Sequence, residues 1–204
     1  MYPILNWLML TWFRILRAGR GMSFFSPIPS DLAGPTAVSF SEECNVRPKP
    51  FVPLVFDGDK RYVKDETEGL VWHCSRLRTL YADTDRSQLV YHANFLRYFE
   101  FGRASLMRDT GYPYKEIEES GTIYPIIEIG VSYYNPVYYD DAMCIYTRPS
   151  VLERVKLRFD YVITREETRE MACKGFTRHC AVNAAGIPVA VDDKTAQLWK
   201  IFPE

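Results

Sequence analysis

The chain has 204 residues, enough for one domain with a real core plus an extension. Its formal net charge is −1, so no global field favours nucleic acid, and no nucleic-acid partner is expected. The 5 cysteines are odd in number and form no C-x-x-C pair, and the 3 histidines (His73, His92 and His179) show no ligand spacing. These counts argue against a disulfide framework or a metal centre and favour reduced thiols in a cytoplasmic setting.

Residues 1–20 read as an apolar N-terminal segment. Trp7, Leu8, Met9, Leu10, Trp12 and Phe13 lie in it, and Arg14, Arg17 and Arg20 crowd its C-terminal side. The run is shorter than the ~20 residues that span a bilayer. It lacks a basic start and a small-residue cleavage site, so it reads poorly as a signal peptide. Two readings stand. It is a helix in peripheral contact with a membrane, with the tryptophans at headgroup depth, or it packs against the main domain or a neighbouring subunit. A start at Met22 would make the run irrelevant.

Residues 21–69 read as a Pro/Ser-rich linker or extension, with Pro27, Pro29, Pro35, Pro48, Pro50 and Pro53 removing backbone donors. The main domain is expected over 70–204. Residues 71–81 read as a strand. Residues 93–109 read as a helix, because Phe95, Phe99, Gly102 and Leu106 fall on one face, and Gly111 and Pro113 stop it. Residues 116–121 read as a polar connection. Strands are expected over 124–134, 142–147, 153–165 and 171–182, with a turn at 183–186 leading into 187–191. Residues 153–165 alternate most clearly, Leu157, Phe159, Tyr161 and Ile163 against Arg158 and Asp160. Leu198, Trp199 and Phe202 imply a tail that packs down. One long helix and a succession of antiparallel strands make an α+β domain.

The stretch from Tyr81 to Glu100 carries the chemistry. A polar loop holds Asp83 and Asp85, and Tyr91-His92-Ala93-Asn94 opens the long helix. A carboxylate is thereby set near unpaired N–H groups at a helix N-terminus. A carboxylate facing a site for negative charge is a minimal kit for attack on a carbonyl. The plainer alternatives are that Asp85 caps its turn, that His92 and Asn94 cap the helix, and that Glu100 and Arg103 form an i,i+3 ion pair.

Tyr81-x-Asp83-Thr84-Asp85, followed by Val90-Tyr91-His92-Ala93-Asn94-Phe95, resembles the hotdog-fold acyl-CoA thioesterases of the 4-hydroxybenzoyl-CoA thioesterase type. The resemblance covers about residues 75–195. It implies a hotdog fold, an antiparallel sheet of about five to six strands wrapped around one central helix. It implies hydrolysis of an acyl-CoA to free acid and coenzyme A with no cofactor, by a homodimer or homotetramer whose sheets join at their edges.

Asp85 matches the family's acidic residue and becomes nucleophile or general base, whereas Asp83 is expected to hold the loop. The backbone N–H of His92 matches the oxyanion donor, and its imidazole could orient water or protonate the thiolate. Tyr91 is expected to line the same cleft. Arg86, Ala93 and Asn94 are expected to contact substrate, and Glu100 is a secondary candidate. Arg86, Arg148, Arg154, Lys156 and Arg158 are candidates for a basic rim toward coenzyme A phosphates. The loop lacks the glycine that many family members carry shortly after the acid. That departure and the apolar N-terminus support a rival, a non-catalytic acyl-CoA-binding or membrane-associated module. A hotdog dehydratase is a further rival, disfavoured by the D-T-D…Y-H-A-N wording.

Overall fold

The computed structural model describes residues 48–56 and 59–202. The segment 1–20 and residues 21–47 of the expected linker lie outside them. The described residues form one unit. Among the described residues, nine strands and three α-helices follow in chain order. They are β1 (Pro53–Phe56), β2 (Asp59–Asp65), β3 (Val71–Arg78), α1 (Asn94–Asp109), α2 (Tyr114–Glu119) and β4 (Thr122–Ile123), then β5 (Ile126–Tyr133), β6 (Ala142–Leu152), β7 (Lys156–Arg165), β8 (Met171–Cys180), β9 (Val182–Asn183) and α3 (Asp193–Ile201).

The main sheet has 7 strands in the order β1-β2-β3-β6-β7-β8-β5, and β4 pairs with β9 in a separate ribbon. Every neighbouring pair in the main sheet is antiparallel. The expected hotdog arrangement is present, with α1 laid on one face of the sheet. The sheet is wider than expected because β1 and β2 come from residues assigned to the linker. Pro53 opens β1, an edge strand, where a missing N–H costs no ladder bond.

Gly102 lets the helix lie this close. A Cβ there would meet Ile145 Cγ2 at 2.8 Å and collide with Thr147 Oγ1. One turn earlier, Phe99 is fully buried and stacks on Tyr161, with ring centroids 4.3 Å apart and planes 9° from parallel. Leu157, Phe159, Tyr161 and Ile163 are all buried, as their alternation required. On the opposite sheet face Trp72, Cys74, Cys144, Tyr146 and Val162 form a smaller apolar cluster, and Phe51 packs over it.

Several boundaries differ from expectation. β6 runs on past Thr147, because a bulge between Pro149 and Val151 absorbs the proline that a regular central strand would refuse. Of the expected polar connection over 116–121, residues 116–119 belong to the short helix α2. Residues 187–191 form no strand beyond an isolated bridge from Pro188 to Val182. The tail does pack down, as α3, capped by Asp192 Oδ1 accepting from the Thr195 N–H at 2.9 Å, with Leu198 and Phe202 buried.

Candidate active site

The loop carrying the two aspartates is a tight reversal between β3 and α1. Thr84 and Val90 form an antiparallel bridge, the Asp85 N–H donates to the Leu89 carbonyl at 2.9 Å, and the Gln88 N–H donates to the Asp85 carbonyl at 2.9 Å. Asp85 Oδ1 accepts from the Ser87 N–H at 2.7 Å, an Asx turn that fixes the side chain over its own loop. Gln88 then takes φ +64°. It occupies the left-handed position that closes such a turn, where glycine is cheapest. The missing glycine therefore leaves the turn in place and makes Gln88 adopt its conformation.

Asp83 is buried and builds the loop. Its carboxylate accepts from the Leu80 N–H at 2.9 Å and from Arg97 at 3.3 Å. Its carbonyl accepts from the Tyr91 N–H at 2.9 Å and from the Asn94 side-chain amide at 2.8 Å. Asp83 thus ties the reversal to the first turn of α1. The Asn94 side chain, expected to contact substrate, is engaged in this tie.

The start of the helix is open. The N–H groups of Asn94, Phe95 and Leu96 donate to the carbonyls of Tyr91, His92 and Ala93. Those of His92 and Ala93 have no acceptor among the described residues. Ala93, the capping residue, already has helical dihedrals and caps nothing with its side chain. Two amide donors are left unpaired at the positive end of a 16-residue helix. Tyr133 Oη donates to the His92 carbonyl at 2.9 Å, a contact that joins β5 to this turn and that sequence reading did not foresee. The Tyr91 and His92 rings lie together, with centroids 4.3 Å apart. Asp85, Arg86, Tyr91 and His92 are all exposed.

The basic rim is reduced. Arg148 is buried in β6, which removes it from any surface patch. Arg158 is held by Asp160 at 2.7 Å and stacks on Phe176. Arg154 precedes β7 and is exposed.

Further along α1 is a second polar group that sequence reading missed. Among the described residues the expected Glu100–Arg103 ion pair does not form. Arg103 donates instead to Tyr161 Oη at 3.0 Å. Tyr161 Oη lies 2.8 Å from Thr177 Oγ1, which lies 2.9 Å from His179 Nε2, and His179 Nδ1 lies 2.9 Å from the Tyr124 carbonyl. A carbonyl can only accept, so Nδ1 carries the proton and Nε2 accepts from Thr177. Thr177 must then accept from Tyr161, and Tyr161 accepts from Arg103. The chain has one direction and a neutral imidazole.

Burial, reinforced by the Arg103 charge, pushes His179 down to about 4 from its ordinary 6.5. The unfolded chain therefore takes up this proton before the folded one does. The neutral histidine's contribution is complete above pH ~6.5 and is lost as pH falls toward ~4, at a cost of about 3 kcal/mol. Urea midpoints measured from pH 7 to pH 4 should fall steeply for the intact protein. A His179→Asn variant should show a shallower acid limb, and parallel limbs would exclude His179 as the cause.

Residues 80–198 match the model of the thioesterase-like superfamily. The protein named "Putative acyl-CoA thioesterase YneP" of Bacillus subtilis is 31% identical over 124 residues, covering 61% of this chain and 85% of its own. The 1,4-dihydroxy-2-naphthoyl-CoA hydrolase of Thermosynechococcus vestitus is 28% identical, covering 61% of this chain and 86% of its own. The crystal structure of a hypothetical protein from Aquifex aeolicus superposes with a TM-score of 0.58 at 27% identity, covering 61% of this chain and 97% of that one. The matched region holds the Asp85 loop, the open helix start and strands β5 to β8 of the main sheet. The chain belongs to the thioesterase-like superfamily and has its hotdog fold.

Proposed function

We propose that the protein hydrolyses an acyl-CoA thioester to a free carboxylic acid and coenzyme A. The observation that carries this is the open pair of N–H groups at His92 and Ala93, set at one end of a short pinned loop whose other end presents Asp85. The names of the relatives, both CoA-thioester hydrolases, support it.

A thioester carbonyl that is attacked becomes tetrahedral, and its oxygen gains negative charge. Donors already aimed at that oxygen, at a helix N-terminus, stabilise it without reorganising. The His92 N–H is the leading donor and the Ala93 N–H the second. Asp85 supplies the electron pair, directly to the carbonyl carbon or through a water whose proton it accepts. Both routes need an ionised carboxylate. In this proposal Tyr91 and the His92 imidazole line the cleft, and Arg86 meets a coenzyme A phosphate. The test is free-thiol release from a panel of short, long and aromatic acyl-CoAs. Turnover on one class supports the reading. Tight binding without turnover on any of them would replace it with an acyl-CoA-binding module.

The edge of the sheet supports a dimer as the working unit. Ile129 and Tyr133 point to the helix side of β5, paired across from Thr177 and Cys173, yet they are 41% and 47% exposed, although the Phe95 ring of α1 lies 5.3 Å from that of Tyr133. Ile126 and Ile127 beside them are exposed as well. Among the described residues β5 pairs only with β8, so its outer edge offers unpaired backbone groups. Pairing two β5 edges would cover these side chains and bring each Tyr133–His92 contact to the seam. Light scattering should give a dimer or its multiple for the intact protein and a monomer for Ile127→Asp/Ile129→Asp. A monomeric intact protein would refute the edge pairing.

A further inference from the structure

Beside α1 lies a cavity of ≈ 130 Å³. That is close to the size of an engineered apolar cavity able to hold benzene. Ala104, Met107, Leu157 and Phe159 give it apolar walls. Glu100 stands at its exposed rim, and Arg103 and His179 supply its polar side. From the helix, Glu100, Arg103, Ala104 and Met107 line it, and Leu96 extends their side of α1 toward its start. Leu96, Glu100, Arg103 and Met107 follow at spacings of four, three and four residues, which places them along the same side of α1. The row starts in the first helical turn, next to the open N–H groups, and ends in the cavity. From His92 to Arg103 the helix rises roughly 16 Å, and the arginine side chain leans back toward the N-terminus and shortens that span.

The polar groups here are unequally spent. His179 uses both ring nitrogens inside the hydrogen-bonded chain and offers the cavity no donor. Arg103 is half-buried and has only the Tyr161 hydroxyl as hydrogen-bond partner, with no carboxylate paired to it among the described residues. A guanidinium carries five N–H donors, so most of them remain. Among the described residues, Arg103 is also the only lysine or arginine lining this cavity. A plain hydrocarbon chain placed here would strip water from that cation and return nothing. A chain ending in an oxygen acceptor would satisfy it, and a carboxylate would match its planar fork best. The Glu100 carboxylate opposes such a ligand only from the exposed rim, where solvent and salt weaken its field.

We propose that this cavity receives the far end of the acyl group and that Arg103 binds an oxygen acceptor carried there, so that the preferred substrates are acyl-CoAs with a distal carboxylate. The proposal rests on the thioester-hydrolase reading and deepens it. The reacting carbonyl sits at the helix start, and the row from Leu96 to Arg103 sets both the length and the polarity of what can follow it.

The experiment compares straight-chain acyl-CoAs with ω-carboxyacyl-CoAs of equal length, over a ladder of lengths. The intact protein should favour the carboxylated member by at least about tenfold in kcat/KM at the lengths that reach Arg103. Arg103→Met should bring that ratio to about one, and Arg103→Lys should keep part of it. A ratio of one or less at every length in the intact protein, or a ratio that survives Arg103→Met, overturns the assignment. Should Arg103→Met fail to fold, Ala104→Leu fills the cavity without removing the Arg103–Tyr161 bond and must erase the discrimination. If no acyl-CoA is hydrolysed at all, the hydrolase reading fails separately. Calorimetric binding of free mono- and dicarboxylic acids then decides, with equal affinities refuting the cavity assignment and tighter diacid binding upholding it.

Discussion

Asp85→Asn should lower acyl-CoA turnover by ~10²–10⁴-fold, the range associated with removing a positioned acid–base group. The substitution is informative because of what it leaves intact. Asp85 Oδ1 accepts the Ser87 N–H within the turn, and an asparagine oxygen can accept that bond equally well. The turn, the left-handed Gln88 and the bridge from Thr84 to Val90 should all persist. If Asp85 only capped its turn, Asn would be nearly silent and Ala would be the damaging change. If Asp85 attacks the thioester or activates water, Asn and Ala should be comparably inactive, with Asn keeping the melting temperature of the intact protein. The measurement is thiol release from the best substrate, with thermal melting alongside. Equal turnover in intact and Asp85→Asn protein would take the carboxylate out of the mechanism.

Phe99→Ala should be among the most destabilising single changes, at ~3–5 kcal/mol for a fully buried aromatic ring. Phe99 lies flat on Tyr161, and Tyr161 is itself a link between Arg103 and Thr177. Truncation therefore opens a void at the helix–sheet contact and loosens the ring that positions Arg103. At about 2–4 °C per kcal/mol for a domain of this size, the melting temperature should drop by roughly 6–20 °C. A drop of only a degree or two would mean that α1 can settle onto the sheet. Gly102 argues against that, since the helix backbone already sits against Ile145 and Thr147 one turn further on.

What the sequence disclosed depended on whether a signal was local. The alternation of β7 and the stripe of α1 are periodic within one element, so the elements and their buried faces were legible. The motif around Asp85 was legible for the same reason, since its parts sit within a few residues of one another. The role of Asp83 as the loop's anchor was anticipated. β1 was lost because Pro53 reads as a break, and only its place at the sheet edge makes that proline harmless. The continuation of β6 through Pro149 was lost because a bulge depends on the partner strand. The pairing of Arg103 could not be read at all. Glu100 is near in sequence and Tyr161 is not, and the hydroxyl wins because it stands in the core on the side of α1 that Arg103 faces. The cavity beside α1 has the same origin, since α1, α2, β7 and β8 all contribute to its walls.

The sheet order also bears on how the chain is made. β5 leaves the ribosome well before β8, the strand on which it rests, so for a time it has no neighbour on either side. It opens with Ile126 and Ile127 and continues with Ile129, an apolar run of the kind that recruits other extended chains. Glu128 interrupts the run and, in the finished sheet, meets Arg178 of β8 at 3.2 Å. During synthesis Arg178 is not yet made, so the same carboxylate lacks that partner, and its unpaired charge opposes the association of nascent copies of this strand.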